Sequence, residues 1–313
     1  MKNSFFIILL IFIFFSYSSN ANEFKFESDK IDILDNGKLI VVSGGKVITA
    51  DNNIEVKALK FNYKKDLNLL EAFNGSALIV SDEIKIDFDE IKIDQKNLII
   101  STEKKTKIQD LKNELILETE GVIFDRKRKV LMSEKSSILK DKFNNSIVTE
   151  YFHFNIESNI LKIKNSTLKD VENNIFNIEL GYINTKSNKL FGKDISINLN
   201  NKSFNQNNEP RLKSNSLIYE NDVVELSKGV FTTCKKREKC PPWQLSAKKI
   251  THNKKSKMIH YKDAWLKVYD VPIFYFPRFF HPDPTVKRKS GFLVPTVKNS
   301  TNSENHLTIR SYK

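Results

Sequence analysis

Between Phe24 and about Val230, apolar side chains alternate with charged or amide side chains along most of the chain. Alternation at every second residue is typical of β-strands that bury one side and expose the other to water. No stretch of this region has the spacing of an amphipathic helix. The pattern therefore predicts an all-β fold. Its clearest strands contain Leu59, Phe61 and Tyr63; Ile84, Ile86 and Phe88; Phe176, Ile178, Leu180 and Tyr182; and Ile195, Ile197 and Leu199.

Turn-forming residues separate the strands, and a weak repeat accompanies them. The turns fall at Asp35-Asn36-Gly37, Asp51-Asn52-Asn53, Asn144-Asn145 and Asn173-Asn174. Residues 39–47 align with residues 69–77 at an offset of 30, which places Gly45 over Gly75, and Gly121 and Gly229 echo the same position. Short strands with a recurring corner glycine predict a coiled stack of rungs, each burying its apolar side on its neighbours. An ordinary antiparallel sandwich is the alternative.

The N-terminus has the pattern of a secretory signal peptide. Lys2 precedes an apolar run from Phe5 to Phe15, and Ser19-Asn20-Ala21 supplies the small residues of a cleavage site. The apolar run is short for a transmembrane helix, although an uncleaved anchor is the alternative. We therefore expect residues 1–21 to be removed and the rest of the chain to be exported.

The formal net charge of +13 prompts a search for an anionic partner. Export argues against nucleic acid, because an exported chain meets little of it. Outside the cytoplasm, the phosphorylated inner part of a lipopolysaccharide headgroup is an anion of the required kind. An AT-rich genome, which enriches Lys, Asn and Ile without any binding role, explains the charge equally well.

The chain has two cysteines, Cys234 and Cys240, which would meet an oxidising compartment after export. A disulfide between them would close a short local loop. Their spacing does not fit a zinc site, and the chain has no second cysteine pair.

No catalytic arrangement stands out in the sequence. The five histidines are scattered, and His281-Pro282-Asp283 is interpreted as a hydrogen-bonded loop rather than a base or a metal ligand. We expect no cofactor, no metal ion and no enzymatic activity.

The segment Val271–Pro295 differs from the rest of the chain. It holds five of the eight prolines, around an aromatic block from Phe274 to Phe280. Proline lacks a backbone donor and is therefore excluded from central strands. We predict a shaped sheet edge or seam here, with a packed interdomain linker as the alternative.

Three ordered motifs lie in this part of the chain: W-x-L-x-A-x-x-I-x-H at Trp243–His252, V-P-I-F-Y-F-P at Val271–Pro277, and H-P-D-P…K-R-K-S-G-F-L-V-P at His281–Pro295. Together they resemble the LptD family of lipopolysaccharide-assembly outer-membrane proteins, also called organic solvent tolerance proteins. Over residues 38–230 the similarity to that family is limited to the repeated pattern of short strands.

The resemblance implies a β-taco or jellyroll, in which two facing sheets of short rungs form an open-sided trough. The expected organisation is a signal peptide at 1–21, the periplasmic β-domain at 22–233, the last rungs with the proline–aromatic segment at 234–295, and the start of an outer-membrane β-barrel at 296–313. Because the family's barrel should follow Pro295 and the sequence runs only to Lys313, we expect a C-terminally truncated member.

The resemblance also implies a role in lipopolysaccharide transport and assembly, in which the trough binds acyl chains and passes the lipid toward the barrel. Burial of acyl chains is favourable by roughly 25 cal/mol per Å² of apolar surface, and lysines at the rim would hold headgroup phosphates. A closed core that the same side chains fill is the alternative. The candidates for the inner wall are Val47, Ile79, Ile86, Phe88, Ile178 and Leu180.

The partners implied by the resemblance are lipopolysaccharide, a periplasmic bridge protein of the same fold that pairs edge to edge, and an outer-membrane lipoprotein that plugs the barrel. The expected location is the periplasmic face of the outer membrane. In the family, a cysteine placed like Cys234 pairs with one near the far end of the barrel. The residues of the barrel-entry motif are Pro272, Tyr275, Pro277, Pro282, Pro284, Arg288, Ser290, Gly291 and Pro295.

Two other functions fit the same sequence. One is a stand-alone soluble bridge or lipid chaperone built on the same rungs. The other is a basic surface-binding β-protein without a lipid role.

Overall fold

The computed structural model describes residues 24–200, 208–236, 241–283, 286, 291–292, 296–299, 305–308 and 311–312. Its regular structure is β throughout, apart from two single 3₁₀ turns at Asp35–Gly37 and Lys65–Leu67. The all-β prediction is confirmed.

The first strands are β1 (Phe24–Glu27), β2 (Ile31–Leu34), β3 (Leu39–Thr49), β4 (Ile54–Lys64), β5 (Leu69–Ile79), β6 (Ile84–Asp94), β7 (Ile99–Thr102), β8 (Thr106–Asp110), β9 (Leu115–Thr119), β10 (Val122–Asp125), β11 (Val130–Ser133) and β12 (Ser137–Lys140). They continue with β13 (Ser146–Asn155), β14 (Ile160–Lys169), β15 (Ile175–Asn184), β16 (Lys189–Asn198), β17 (Arg211–Glu220), β18 (Val223–Thr232), β19 (Trp243–Asn253), β20 (Met258–Val268) and β21 (Val271–Pro282). The last are β22 (Gly291–Phe292), β23 (Thr296–Asn299), β24 (Asn305–Thr308) and β25 (Ser311–Tyr312).

Strands β1 to β21 form one antiparallel sheet in which each long strand pairs with the strands before and after it. Between most long strands the pairing skips one residue near the middle of the rung, and between β17 and β18 it skips two. Between β3 and β4, for example, Ser43 pairs with Lys60 and Gly45 pairs with Ala58, which leaves Leu59 out of the register. The skipped residues follow one another from rung to rung, and we call them the corner row: Gly44, Leu59, Asn74, Asp89, Glu150, Asn165, Glu179, Asp194, Asn215, Lys228, Lys248, Asp263 and Pro277.

The corner row folds the sheet on itself. An unpaired residue in a strand acts as a bulge, which bends the strand and reverses the alternation of its side chains. In β4, Ile54, Val56 and Ala58 are buried before the corner, and Phe61 and Tyr63 are buried after it. Both halves of a rung therefore direct their apolar side chains to the same interior.

Every second rung uses a left-handed residue at this corner. Positive φ angles occur at Gly44, Asn74, Asn165, Asp194, Lys228 and Asp263. The intervening rungs turn without one, and Pro277 falls on such a rung. Proline fixes φ near −65°, so it is compatible with that half of the corner row and not with the other.

The folded sheet has two arms that face each other and meet at the corner row. The ring of Phe24, which pairs with Thr49 in one arm, lies 5.0 Å from the ring of Tyr63 in the other arm. The free edge of each arm is a row of turns, which we call a lip. The first lip contains the turns at 50–53, 80–83, 111–114, 141–145, 170–174 and 269–270, and the second lip those at 65–68, 95–98, 126–129, 156–159, 185–188, 221–222 and 254–257.

Three rungs are interrupted at the corner instead of bent. The first interrupted rung consists of β7 and β8, the second of β9 and β10, and the third of β11 and β12. Buried hydroxyl groups bridge the interruptions: Thr106 Oγ1 lies 2.7 Å from Thr102 Oγ1, and Ser137 Oγ lies 3.0 Å from Thr119 Oγ1. These contacts provide partners for polar groups that would otherwise be buried without one.

The glycines of the predicted repeat lie beside the corner row, where neighbouring rungs approach closely. A Cβ atom on Gly75 would lie 2.1 Å from the carbonyl oxygen of Lys57, and one on Gly45 would lie 2.2 Å from that of Glu27. No side chain fits at such distances. The predicted corner position is thus confirmed for Gly45 and Gly75, and their role there is steric.

The interior contains two packed clusters. The first extends from Phe24 to Ile163 and the second from Ile178 to Leu266. The packing thus changes between β14 and β15, whereas the sheet itself continues past residue 233 through β19, β20 and β21.

Strand β21 is the last strand of the large sheet and pairs with β20 alone among the described residues. Most of its side chains are exposed. The predicted sheet edge is thus present at residues 271–282. Beyond it, β22 pairs with β25 and β23 pairs with β24.

Leu59 and Phe61 test the corner directly, because simple alternation would place both in the core. Leu59 is 72% exposed and Phe61 is fully buried. Phe61→Ala should lower the free energy of unfolding by about 3–5 kcal/mol, whereas Leu59→Ala should change it by less than about 0.5 kcal/mol. Urea unfolding of both variants measures the difference. Equal losses would contradict the corner.

Candidate functional site

The lips are joined over the first half of the sheet. Lys129 Nζ, in the second lip, lies 2.8 Å from both carboxylate oxygens of Asp82 in the first lip. Further along, Asn113 Nδ2 donates to Asn159 Oδ1 at 3.0 Å. These two contacts close the interior from the lip side as far as β14.

Arg126 is buried beside these contacts and donates a hydrogen bond to Gln95. Burial lowers the pKa of its guanidinium group, and the carboxylates of Asp51, Asp82 and Asp94 offset part of that effect. Several carboxylates from both lips therefore share one buried cation. This arrangement holds the lips together electrostatically.

Over the second half the lips separate and the interior opens into two adjoining cavities. The first, of about 130 Å³, lies between the turns at 141–145 and 185–188. The second, of about 360 Å³, lies between the turns at 170–174 and 254–257. Because Phe176, Val224, Asp170 and Lys254 line both, we treat them as one cleft.

The walls of the cleft are apolar and come from both arms. The volume of the larger cavity falls in the range of about 300–1,000 Å³ that is typical of ligand sites. Its apolar walls include Phe176, Ile197, Leu212 and Phe231 from the first arm and Val224, Leu226, Ile250 and Ile259 from the second.

The first lip carries two similar turns, Asp141–Asn145 and Asp170–Asn174. In the second of these, one oxygen of Asp170 accepts the backbone N–H groups of Glu172 and Asn174, and the other accepts the amide of Asn174. Asp141 makes the equivalent three bonds in its own turn. Both carboxylates are therefore occupied within the lip, although they border the cleft.

The second lip places lysine side chains at the opening of the cleft. Lys254 lies over the ring of Tyr219, with its Nζ atom 5.5 Å from the ring centroid, and it lines both cavities. Lys255 and Lys257 belong to the same turn and are exposed. A cation on an aromatic face at the mouth of an apolar cleft is suited to an anionic group on an apolar ligand.

Two polar side chains lie in the wall of the larger cavity. Tyr261 Oη lies 2.9 Å from His281 Nε2, and His281 Nδ1 lies 2.7 Å from the carbonyl oxygen of Pro282. Burial raises the pKa of Tyr261 and lowers that of His281, and the hydrogen bond to Pro282 offsets only part of the latter effect. Both groups are thus uncharged near neutral pH.

A second histidine marks the rim of this cavity. His252 Nε2 lies 2.7 Å from a carboxylate oxygen of Asp283, and both side chains line the opening. The sequence interpretation of His281-Pro282-Asp283 as a hydrogen-bonded loop was only partly right. His281 and Pro282 belong to β21, and the His281 side chain points inward.

The residues proposed for the inner wall fall in three different places. Val47, Ile79, Ile86 and Phe88 lie in the closed first cluster, and Ile178 lies in the second cluster. Leu180 is a correction. It follows the corner residue Glu179, and it pairs with Lys164 and Lys193 on the outer face instead of facing the interior.

Of the proposed barrel-entry residues, four lie on β21: Pro272, Tyr275, Pro277 and Pro282. The ring of Tyr275 lies 4.9 Å from that of Trp265, and its hydroxyl donates to Asp263 at 2.9 Å. Gly291 begins β22. Pro284, Arg288, Ser290 and Pro295 lie outside the described residues, as do Cys240 and the predicted signal peptide at 1–21.

Cys234 is half-buried, and it forms no disulfide within the part of the chain that the structure describes. Its carbonyl oxygen accepts a hydrogen bond from Arg211. The disulfide pairings suggested for it remain predictions.

Most of the cleft does not follow from the sequence pattern. The alternation predicts Phe176 as part of a strand but not as a wall residue, and it does not point to Val224, Lys254 or Tyr261. The repeated turn sequence D-x-x-N-N at 141–145 and 170–174 was the available signal, because it marks the stretch of the first lip where the lips separate.

The described part of the chain holds no group of three or more His, Cys, Asp or Glu side chains positioned to bind a metal ion. Among the same residues, no helix is long and apolar enough to cross a membrane.

Removal of the lip contact at Asp82 should loosen the closed half. Asp82→Ala leaves Lys129 without its carboxylate partner and removes one of the three carboxylates near Arg126, and we expect the free energy of unfolding to fall by about 1–2 kcal/mol, less than for fully buried pairs because Lys129 reaches water. Faster hydrogen exchange in the turns at 80–83 and 126–129 should accompany the loss. Asp66→Ala, which breaks an exposed pair with Lys38, is the control. Unchanged exchange in Asp82→Ala would contradict a closing role.

Comparison with known proteins gives partial matches. No family model matches the chain. LPS-assembly protein LptD of Idiomarina loihiensis is 33% identical over 132 residues, which are 39% of this chain and 17% of that protein. LPS-assembly protein LptD of Pseudomonas putida strain GB-1 is 33% identical over 84 residues (27% and 9%), and that of Pseudomonas fluorescens is 30% identical over 96 residues (30% and 10%).

The matches thus span less than a fifth of the length of these relatives. The resemblance predicted from the motifs is confirmed: over part of its length, this chain is similar to LPS-assembly protein LptD.

Proposed function

We propose that this chain takes part in lipopolysaccharide transport and assembly at the periplasmic face of the outer membrane. In this role the cleft takes up acyl chains between the two arms, while the sugar headgroup stays outside the lips. The observation that carries the proposal is the apolar cleft where the lips separate. The similarity to LPS-assembly protein LptD supports it.

The energetics favour acyl chains as the ligand. Each CH₂ group that leaves water contributes roughly 0.8 kcal/mol, so a chain of ordinary length gains several kcal/mol inside the cleft. Because successive rungs present similar apolar walls, a ligand finds neighbouring positions of similar free energy. Such graded binding lets the lipid move along the stack, and it requires no covalent chemistry.

The distribution of charge favours an anionic headgroup. Residues 201–313 contain 22 Lys and Arg against 9 Asp and Glu, whereas residues 1–200 contain 29 of each. The entire net charge of +13 therefore belongs to the part of the chain that follows β16. Lys254 is the cation that lies at the mouth of both cavities, and we assign it to a headgroup phosphate.

In this proposal, the residues of the closed half reach lipid only after the lips open. Val47, Ile79, Ile86 and Phe88 are covered by the opposite arm and the joined lips. They contact lipid only when the contacts at Asp82–Lys129 and Asn113–Asn159 open. Ile178 is already next to the open half.

The other end of the stack suits a partner of the same fold. Strands β1 and β2 pair only with β3 among the described strands, and β2 exposes Ile31 and Ile33 at 44% and 68%. An unpaired edge with exposed apolar side chains is a template for another strand. We assign this edge to a periplasmic bridge protein that continues the stack and delivers the lipid.

A stand-alone soluble lipid carrier is the second candidate, because it would use the same cleft. The partial similarity to LPS-assembly protein LptD and the motifs on β21 favour the assembly role.

Phe176 tests the cleft. Phe176→Asp places a carboxylate on a wall shared by both cavities, and lipopolysaccharide binding by the purified chain should weaken at least about tenfold, because a charge facing an acyl chain is poorly solvated. The matched control is Phe191→Asp, which makes the same change on the outer face of the adjacent strand. Equal binding by the two variants in a fluorescence titration would reject the cleft.

Lys254 tests the headgroup contact. Lys254→Ala should weaken binding of a phosphorylated glycolipid by roughly tenfold and leave binding of the same glycolipid without phosphates nearly unchanged, since charge-assisted hydrogen bonds contribute about 1.5–3 kcal/mol. Lys96→Ala, in a turn of the closed half, is the control. If both glycolipids bind Lys254→Ala and Lys96→Ala alike, Lys254 does not contact phosphate.

A further inference from the structure

A polar pair lies in the otherwise apolar wall of the larger cavity. Tyr261 and His281 are 4% and 3% exposed, and their rings stack with centroids 5.4 Å apart. The ring of Phe279 lies 5.6 Å from that of Tyr261, and Ile259 lies in the same wall. Tyrosine and histidine are costly to bury unless their polar atoms have partners, so the partners of this pair are informative.

The hydrogen bonds fix the direction of each donor. A carbonyl oxygen can only accept, so the contact of 2.7 Å between His281 Nδ1 and the Pro282 oxygen requires a proton on Nδ1. Burial keeps the ring neutral, which leaves Nε2 as an acceptor. The hydroxyl of Tyr261 must therefore donate to Nε2 across the 2.9 Å contact.

This arrangement leaves the Tyr261 oxygen able to accept a further hydrogen bond at the cavity wall. The phenolic oxygen of Tyr261 has donated its proton and still has lone-pair capacity. Among the described residues, His281 is the hydrogen-bond partner of that hydroxyl. At the Tyr261–His281 pair, the wall thus offers a hydrogen-bond acceptor and no donor.

We propose that the larger cavity recognises an acyl chain that carries a hydroxyl group, and that the oxygen of Tyr261 accepts the hydrogen bond from that hydroxyl. This inference rests on the proposed function and narrows its ligand. His281 acts as the positioning residue, because it holds the proton of Tyr261 and thereby leaves the oxygen as an acceptor.

The chemistry disfavours ester carbonyl and carboxylate groups at this position. Ester carbonyls and carboxylates only accept hydrogen bonds, so they would meet the Tyr261 oxygen as a second acceptor. A carboxylate would in addition lose its hydration in the apolar wall. The acid end of a chain is better placed at the mouth, near Lys254.

The experiment compares two probes that differ by one hydroxyl group. Myristic acid and 3-hydroxymyristic acid are titrated into the purified chain by calorimetry, below the concentrations at which either forms micelles. We expect the hydroxylated acid to bind roughly three- to tenfold more tightly, the range of one net hydrogen bond. In Tyr261→Phe this preference should vanish, and myristic acid should bind as before because the ring and its packing remain.

The control variant is Tyr63→Phe. It removes the hydroxyl of another buried tyrosine, which bonds to Asn68 in the closed half, and it should keep the preference. Equal affinity for the two acids in the unmodified chain, or a preference that survives in Tyr261→Phe, would overturn the inference and leave the acyl-binding cleft intact. Failure of both acids to bind would overturn the cleft itself and the inference with it.

A third titration identifies the source of the hydroxylated chain. A glycolipid with 3-hydroxyacyl chains is added to the chain already saturated with 3-hydroxymyristic acid. Displacement supports recognition of the hydroxyl as part of the glycolipid. Absence of displacement, with the preference still dependent on Tyr261, supports a site for free hydroxylated acids and contradicts the lipopolysaccharide role.

Discussion

The corner row is the constraint on which the rest of the structure depends. A strand of strict alternation has one apolar side, and a sheet of such strands would need a second sheet to cover it. Here one residue per rung is left out of the register, so both halves of the rung turn their apolar sides to a shared interior. The single sheet therefore supplies its own cover. Close approach at this corner explains Gly45 and Gly75, and the buried hydroxyls of Thr102, Thr106 and Thr119 serve the rungs that are interrupted there.

Once the sheet is folded, the contacts between the lips at the opposite edge determine whether the interior is closed or open. Where Lys129 meets Asp82 and Asn113 meets Asn159, the arms stay together and the core residues are almost completely shielded from water. Beyond them the turns Asp141–Asn145 and Asp170–Asn174 use their carboxylates internally, and the interior opens. The same rung architecture thus gives a closed core and an open cleft, and the difference lies in a few polar side chains.

The sequence predicted the strands, the turns, the edge at β21 and the corner position of the repeated glycines, because these follow from local patterns. It did not predict the corner row, since left-handed residues there include Asn74, Asp194 and Lys228, which share no side-chain type. For this reason simple alternation predicts Leu59 as a core position and Leu180 as a wall residue, although the alternation reverses beside each of them. The closed half was also unpredictable, because Asp82 and Lys129 lie 47 residues apart and their contact depends on the folded stack.

The position of the charge follows from the same division. In the closed half, acidic and basic side chains of neighbouring rungs neutralise each other, as in the pair of Lys46 and Glu55, whose Nζ and Oε2 atoms lie 3.0 Å apart. Paired surface charges are consistent with a segment whose interior is closed to ligands. In the proposed function, the open half has to keep an amphipathic, anionic ligand at its mouth, and a local excess of lysine and arginine would supply an attraction that does not depend on one fixed geometry. The proposed acceptor on Tyr261 in the wall would then add selection by hydrogen bonding to attraction by charge. Under these two proposals, charge would attract many lipids to the cleft, and the buried polar pair would distinguish among them.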